Sequence, residues 1–253
     1  MADGMRQGER RPWDPEDAVI ADDASAIRVY CLNAGNHVYS RIESSTSLVL
    51  DGDRRIIIDP GSKYSRKKVA ESLSALGLRP EDIDTVVLTH YHLDHVANCS
   101  MFGNARLFLH PNEMARAGSP AGTLTLAALK AVMRELDFSI GDFIGRLRPV
   151  SELPTGCRLE VIETFGHTAG SISLCVSGRK RIVISGDALT RMSFAEEFSA
   201  QAQDGIGSAD PYSRSFAKIL RSGEIIVPGH DRPFMRTANG YVHLDAGVDL
   251  ASV

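Results

Sequence analysis

Short apolar runs separated by turn residues make up most of the chain from residue 26 onward. The runs span four to six residues and are rich in Val, Ile and Leu, as in strands buried in a core. They cover residues 27–32, 47–50, 55–58, 83–88, 105–109, 159–163, 171–176, 181–185 and 224–227. Asp51-Gly52-Asp53 lies between the second and third runs and is typical of a tight hairpin. The early strands are therefore predicted to be antiparallel.

Helical spacing of apolar residues appears in three stretches between these strands. The first covers 65–76 and is followed by Gly77 and Pro80, a common way for a helix to end. The others are 120–136 and 211–220. Strands that alternate with helices predict an α/β fold.

The predicted domain organisation is a flexible arm over 1–25 and a single domain over 26–253. The arm is rich in Asp, Arg, Gly and Pro and has no sustained apolar periodicity. No internal repeat or Pro/Ser-rich linker divides the rest, so we expect one domain in two similar halves. The segment 117–148 lies between these halves and is the expected substrate-specific insertion.

Composition and charge restrict the class of protein. A chain of 253 residues with 43% hydrophobic residues can bury a full core without disulfides. Its net charge of -4 provides no basic field for an extended nucleic acid or an anionic membrane. No apolar stretch approaches the roughly 18 residues of a spanning helix, and the first residues lack the apolar core of a signal peptide. The sequence therefore predicts a cytoplasmic protein that binds neither an extended nucleic acid nor a membrane. Assembly into a homo-oligomer stays an open alternative.

Four of the side chains that could bind a metal lie within six residues. His90, His92, Asp94 and His95 follow the predicted strand 83–88 in the sequence Thr-His-Tyr-His-Leu-Asp-His. In an extended loop, residues two apart point the same way, so His90 and His92 can bind one ion while Asp94 and His95 turn toward a second position. Imidazole and carboxylate suit Zn, Fe, Mn, Co or Ni better than Ca or Cu(I).

Three further candidate ligands follow later strands. They are His167, Asp187 and His230, and each comes directly after a glycine that allows a tight backbone turn. Side chains that converge from several strand ends commonly form metal sites, so the seven residues together predict one. The four cysteines form no Cys-x-x-Cys pair, which argues against a thiolate zinc site or a disulfide framework.

These motifs resemble those of the metallo-β-lactamase fold superfamily. The resemblance rests on His-x-His-x-Asp-His followed by separated His, Asp and His, with IIIDPGS upstream and GHTAGS midway, and it spans residues 27 to about 236. The segment IIVPGHDRPF resembles the subgroup named after metallo-β-lactamase domain-containing protein 1. The resemblance implies a four-layer αββα sandwich with the site at one edge of its two sheets.

The resemblance also implies how the candidate ligands are divided between two metal ions. The first ion is bound by His90, His92 and His167, the second by Asp94, His95 and His230, and Asp187 bridges them. Asp59 matches a buried aspartate that orients a histidine ligand through its other ring nitrogen. The expected cofactors are two divalent metal ions, with zinc favoured and iron or manganese as alternatives.

Such a site predicts an enzyme of the hydrolase class. Two divalent ions lower the pKa of a shared water from about 15.7 toward about 7, so a metal-bridging hydroxide is the expected nucleophile. The bond attacked is an ester, lactone, thioester or phosphoester, and Asp94 is the candidate to carry the proton to the leaving group. Two divalent ions outweigh the charges of Asp94, Asp187 and one hydroxide, so the small-molecule substrate can be anionic.

Two other functions stay open at this point. One is a single-iron oxygenase of the same fold, because persulfide dioxygenases hold one iron with two His and one Asp. The other is a non-catalytic metal-binding domain that uses the fold for partner contacts. Antibiotic hydrolysis is disfavoured, because typical dizinc β-lactamases carry a Cys or no ligand where this chain has Asp187.

Overall fold

The structure is a computed structural model that describes residues 26–38, 41–117, 131, 140–203 and 210–253. The predicted arm over 1–25 lies outside the described residues. So does the predicted helix over 120–136, apart from residue 131, which is helical. Of the segment 117–148, only residues 117, 131 and 140–148 are described.

The described strands and helices follow one another from Arg28 to His243. The strands are β1 Arg28–Asn33, β2 Asn36–Val38, β3 Arg41–Glu43, β4 Thr46–Asp51, β5 Arg54–Ile58, β6 Thr85–Val87, β7 Arg106–Leu109, β8 Leu147–Pro149, β9 Leu159–Glu163, β10 Ile172–Ser177, β11 Arg181–Gly186, β12 Ile225–Pro228, β13 Phe234–Thr237 and β14 Gly240–His243. The helices are α1 Arg66–Ala75, α2 Leu93–Val96, α3 Pro111–Ala117, α4 Ile140–Arg146, α5 Met192–Gln203 and α6 Pro211–Ser222. Short 3-10 turns cover Pro80–Asp82, Ala97–Met101 and Val150–Glu152.

Twelve of these strands form two six-stranded sheets. The first has the order β1-β4-β5-β6-β7-β8, and the second has the order β14-β13-β12-β11-β10-β9. The strands from β5 to β8 are parallel, as are β11 and β12, and the other neighbouring pairs are antiparallel. The strands β2 and β3 form a separate hairpin.

Alternating side chains of the strands build the layers of the fold. Ile56 and Ile58 of β5 belong to the apolar cluster between the two sheets, whereas Ile57 belongs to the cluster under α1. A third cluster joins the outer face of the second sheet to Phe216 and Ile219 of α6. The layers are thus helix, sheet, sheet and helix, which confirms the predicted α/β sandwich of the αββα type.

Each predicted strand is present, with ends shifted by up to two residues. The helix predicted over 65–76 spans Arg66–Ala75, and the one predicted over 211–220 spans Pro211–Ser222. The strands and helices that the apolar pattern did not predict are β2, β3, β8, β13, β14, α2, α3, α4 and α5. Most are three to seven residues long, too short to carry a periodic apolar pattern.

Among the described residues, none of the helices combines the length and apolar character that crossing a bilayer requires.

Candidate metal centre

The candidate ligands come from the ends of strands in both sheets. His90 follows β6 of the first sheet, while Asp187 and His230 follow β11 and β12 of the second. His167 lies in the loop between β9 and β10. The chain is extended at His92, with φ -108° and ψ 151°, and then turns into α2, which carries Asp94 and His95. The extended loop expected over the motif therefore ends at His92, and the helical turn directs Asp94 and His95 to a second position.

Three histidines meet at one side of the site. Nε2 of His90 and Nε2 of His167 each lie 3.0 Å from Nδ1 of His92. One ring nitrogen from each of the three histidines and one carboxylate oxygen of Asp187 all lie within 4.8 Å of one another. Spacings of this size are expected between ligands that bind one ion at about 2.0–2.1 Å.

A second group forms on the other side from Asp94, His95 and His230. Oδ2 of Asp94 lies 3.5 Å from Nε2 of His95 and 3.4 Å from Nε2 of His230. The facing atoms of the three residues lie within 4.8 Å of one another. The structure thus brings together all seven residues that the sequence singled out, in the same two groups.

The carboxylate of Asp187 lies between the two groups. Its Oδ1 is 3.2 Å from Nε2 of His95 and 3.1 Å from Nε2 of His230. Its Oδ2 is 3.3 Å from Nε2 of His167 and 3.9 Å from Nε2 of His90, and it also lies 3.3 Å from Nε2 of His230. Oδ1 therefore faces His95 and His230 of the second group, whereas Oδ2 lies between His167 of the first group and His230 of the second.

Two glycines allow this close packing. A Cβ at Gly229 would collide with Oδ1 of Asp187. Gly186 has φ +50°, and a Cβ there would press against the side chain of Thr89. A larger residue at position 229 would therefore displace the carboxylate of Asp187, and one at position 186 would displace Thr89.

Buried atoms without partners show that the donor set fits a cation. Nε2 of His95 and Oδ1 of Asp187 are both buried and lie 3.2 Å apart, yet neither atom makes a hydrogen bond of good geometry. Such atoms are costly in a folded protein, and an ion between them would satisfy both. Five imidazoles and two carboxylates suit zinc, iron or manganese.

The electrostatics of the site also favour a cation. Burial, aided by neighbouring imidazoles, lowers the pKa of His90 well below its usual value, the pKa of His92 to about 4 and the pKa of His167 to a smaller extent. These rings are therefore neutral at pH 7 and can donate a lone pair to a metal. Burial alone would also lower the pKa of His95, but the carboxylates around it, Asp187 first, hold that pKa well above its usual value. The carboxylates that attract a proton to His95 would equally attract a metal ion.

Asp59 holds two of the histidine rings in place. Its Oδ2 is 2.7 Å from Nδ1 of His95 and accepts a hydrogen bond of 2.7 Å from Oγ1 of Thr89, while its Oδ1 accepts one of 2.8 Å from the Thr89 amide. Oγ1 of Thr89 in turn lies 3.0 Å from Nδ1 of His90. Both rings are thereby turned so that Nε2 faces the site. Asp59 has a φ of +50°. It is the one residue other than glycine that has a positive φ in the described part of the chain.

We expect Asp59→Asn to weaken metal binding by about 10–100-fold, the usual effect of losing a group that orients a histidine ligand. An amide cannot accept hydrogen bonds at both positions that the Asp59 carboxylate occupies. Competition with a chromophoric chelator measures the affinity. Asp53→Asn, at an exposed turn, is the matched control. Equal affinities in the two variants would show that Asp59 does not orient His95.

The hydrogen bonds that hold Asp94 and His230 of the second group could not be predicted from the sequence. The carbonyl oxygen of Glu43 accepts a hydrogen bond of 3.0 Å from Nδ1 of His230, and Oγ of Ser44 donates one of 2.8 Å to the carbonyl oxygen of Asp94. Serines and backbone carbonyls occur everywhere in a sequence, so neither could be singled out. His37 lies nearby, with its exposed ring 5.6 Å from that of His230.

A family model described as the metallo-beta-lactamase superfamily matches residues 40–230. The chain belongs to the metallo-β-lactamase superfamily. Metallo-beta-lactamase domain-containing protein 1 of Xenopus laevis is 28% identical over 213 residues, which cover 83% of this chain and 80% of that protein. The N-acyl homoserine lactonase AiiB of Agrobacterium fabrum is 31% identical over 186 residues, or 66% of this chain and 64% of that protein.

A solved structure gives the same result for the fold. A Thermotoga maritima protein named for the metallo-beta-lactamases aligns with a TM-score of 0.63 and 26% identity, covering 83% of this chain and 99% of that one. Both the superfamily and the resemblance to the domain-containing protein 1 subgroup are thus confirmed. Membership in this superfamily, most of whose members are hydrolases, indicates a metal-dependent hydrolase in general.

Proposed function

We propose that this metallo-β-lactamase superfamily member is a binuclear metallohydrolase, with zinc as the expected metal. His90, His92 and His167 would hold one ion and Asp94, His95 and His230 a second, with the carboxylate of Asp187 lying between the two groups. The observation that carries the proposal is the position of Asp187, whose two oxygens face different groups of histidines. A single-metal site would need only one of these groups, so their joint presence favours hydrolysis over single-iron oxygen chemistry.

Bound ions would acidify a water molecule and polarise the oxygen of the bond to be cleaved. The protein's own residues set the geometry around that chemistry. Asp187 and Asp59 are nearly enclosed, whereas the side chain of Asp94 is 22% exposed and directs Oδ2 into the site. This partial exposure supports Asp94 as the carboxylate that takes up a proton and releases it to the leaving group.

The proposed substrate is a small molecule with an ester, lactone, thioester or phosphoester bond. Similarity to a protein named as an N-acyl homoserine lactonase makes lactones the first class to assay. Two divalent ions give the site a local positive charge, so an anionic substrate would be attracted even though the chain carries a net charge of -4.

The test is a hydrolysis screen of the metal-loaded chain with chromogenic esters, lactones, thioesters and bis-p-nitrophenyl phosphate. We expect turnover in at least one class without oxygen consumption. Consumption of oxygen in an electrode cell would favour an oxygenase, and metal-loaded protein without turnover in any class would favour a non-catalytic domain. Either result would contradict the proposal.

Asp94→Asn tests the proposed proton transfer. The variant should lose more activity on substrates with basic leaving groups, about 100-fold or more, than on those that release p-nitrophenolate, which needs no proton. Rates measured across a series of leaving groups, with Asp53→Asn as the control, give this dependence. An equal loss across the series would remove Asp94 from the proton-transfer role and leave it as a ligand only.

A further inference from the structure

Glu113 is a fully buried carboxylate next to the three-histidine group. It lies in the first turn of α3, the helix that follows β7. In the first sheet β7 is the neighbour of β6, the strand that precedes His90. Its relative exposure is 0%. A buried carboxylate is costly unless its oxygens are hydrogen-bonded, so its contacts account for its place in the structure.

The two oxygens of Glu113 join the two loops that carry this group. Oε2 accepts a hydrogen bond of 3.0 Å from the amide of Tyr91, which lies between His90 and His92. Oε1 accepts one of 2.9 Å from the amide of Gly170, three residues after His167. One side chain thus connects loops that are far apart in the sequence and whose imidazoles face one another at 3.0 Å.

The surrounding residues hold the loop of His167 against α3 by independent contacts. Nδ2 of Asn112 donates a hydrogen bond of 3.0 Å to the carbonyl oxygen of Ala169. A Cβ at Gly170 would lie 2.8 Å from Cγ of Glu113, so the close approach needs a glycine. The ring of His110 packs against Phe165 with centroids 5.4 Å apart.

We infer that Glu113 is a positioning residue for the first metal ion, acting through the backbone of the loops that carry His90, His92 and His167. The inference rests on the proposed function, because it assumes that these histidines bind an ion. Hydrogen bonds to an ionised acceptor are roughly twice as strong as neutral ones, so the carboxylate restrains the loops more than an amide would. The second group is held elsewhere, by Ser44 and the carbonyl oxygen of Glu43.

The test compares Glu113→Gln, Glu113→Ala and Ser44→Ala in the full chain. Each protein is stripped of metal and titrated with Co²⁺ against a chromophoric chelator, which gives two dissociation constants, and the visible Co²⁺ spectrum reports ligand geometry. We expect one binding step to weaken by about 10-fold in Glu113→Gln and about 100-fold in Glu113→Ala, with the other unchanged. Ser44→Ala should weaken the binding step that the Glu113 variants leave unchanged. A chain that combines Ser44→Ala with a Glu113 substitution should bind both ions more weakly.

Urea unfolding of the metal-free proteins separates positioning from stability. If Glu113 only stabilises the fold, its variants will unfold at lower urea while the folded forms bind both ions as the wild type does, and the inference is then wrong. Should Glu113→Ala fail to fold, the near-isosteric Glu113→Gln still decides the question. A wild-type chain that binds no metal would instead overturn the proposed function itself, and this inference with it.

Discussion

Asp187→Asn is expected to release metal from both groups of ligands and to reduce turnover by more than about 100-fold, beyond the loss typical of a residue that only orients a ligand. Oδ1 and Oδ2 of Asp187 each lie within 3.3 Å of an Nε2 atom in a different group. Asparagine keeps the shape but places a neutral amide NH₂ at one of these positions, where it cannot bind a cation. Metal per chain after dialysis, together with the rate on the best substrate, measures the effect.

The matched control is Asp231→Asn, one residue beyond the candidate ligand His230. Its carboxylate accepts hydrogen bonds from the amides of Met192 and Arg232 and belongs to neither group of ligands. We expect this variant to keep its metal and its rate. Full metal content and full rate in Asp187→Asn would show that the ligands are wrongly assigned.

Metal removal is expected to lower the melting temperature by about 8–16 °C for each ion. An ion present at about 1,000 times its dissociation constant stabilises the folded chain by about 4 kcal/mol. For a chain near 250 residues, each kcal/mol corresponds to roughly 2–4 °C. Removal also leaves Nε2 of His95 and Oδ1 of Asp187 buried without a hydrogen bond of good geometry.

Calorimetry of the wild type with and without a chelator tests this linkage, with Asp187→Asn as the comparison. The chelator should lower the melting temperature of the wild type and have little effect on the variant, which holds little metal to lose. An identical melting temperature for the wild type in both conditions would contradict metal binding in the folded state. A shift of equal size in both proteins would contradict the role of Asp187.

The candidate ligands could be singled out in the sequence because their signal is local. His90 and His92 follow a strand at the spacing of an extended chain, and glycines mark the turns before Asp187 and His230. The division of the ligands between two positions came from the resemblance to a family, and the geometry agrees with it.

Asp59 was predicted from the family resemblance, but the other residues that position the candidate ligands could not be found in the same way. Glu43 contacts His230 across 187 residues of chain, and Glu113 reaches Gly170 across 57. Such contacts arise only when the two sheets pack together, and a buried glutamate in a short polar helix looks like a surface residue in the sequence. The helical turn at α2 was missed for a related reason, because four residues are too few to show periodicity.

Two metal ions are expected to bind, one on either side of Asp187. Their positions and identities can be read from anomalous difference maps collected at the zinc, iron and manganese edges, from crystals of protein purified without added metal. We predict two peaks, one among His90, His92 and His167 and the other among Asp94, His95 and His230. A single iron peak, or no peak among these residues, would contradict the assignment.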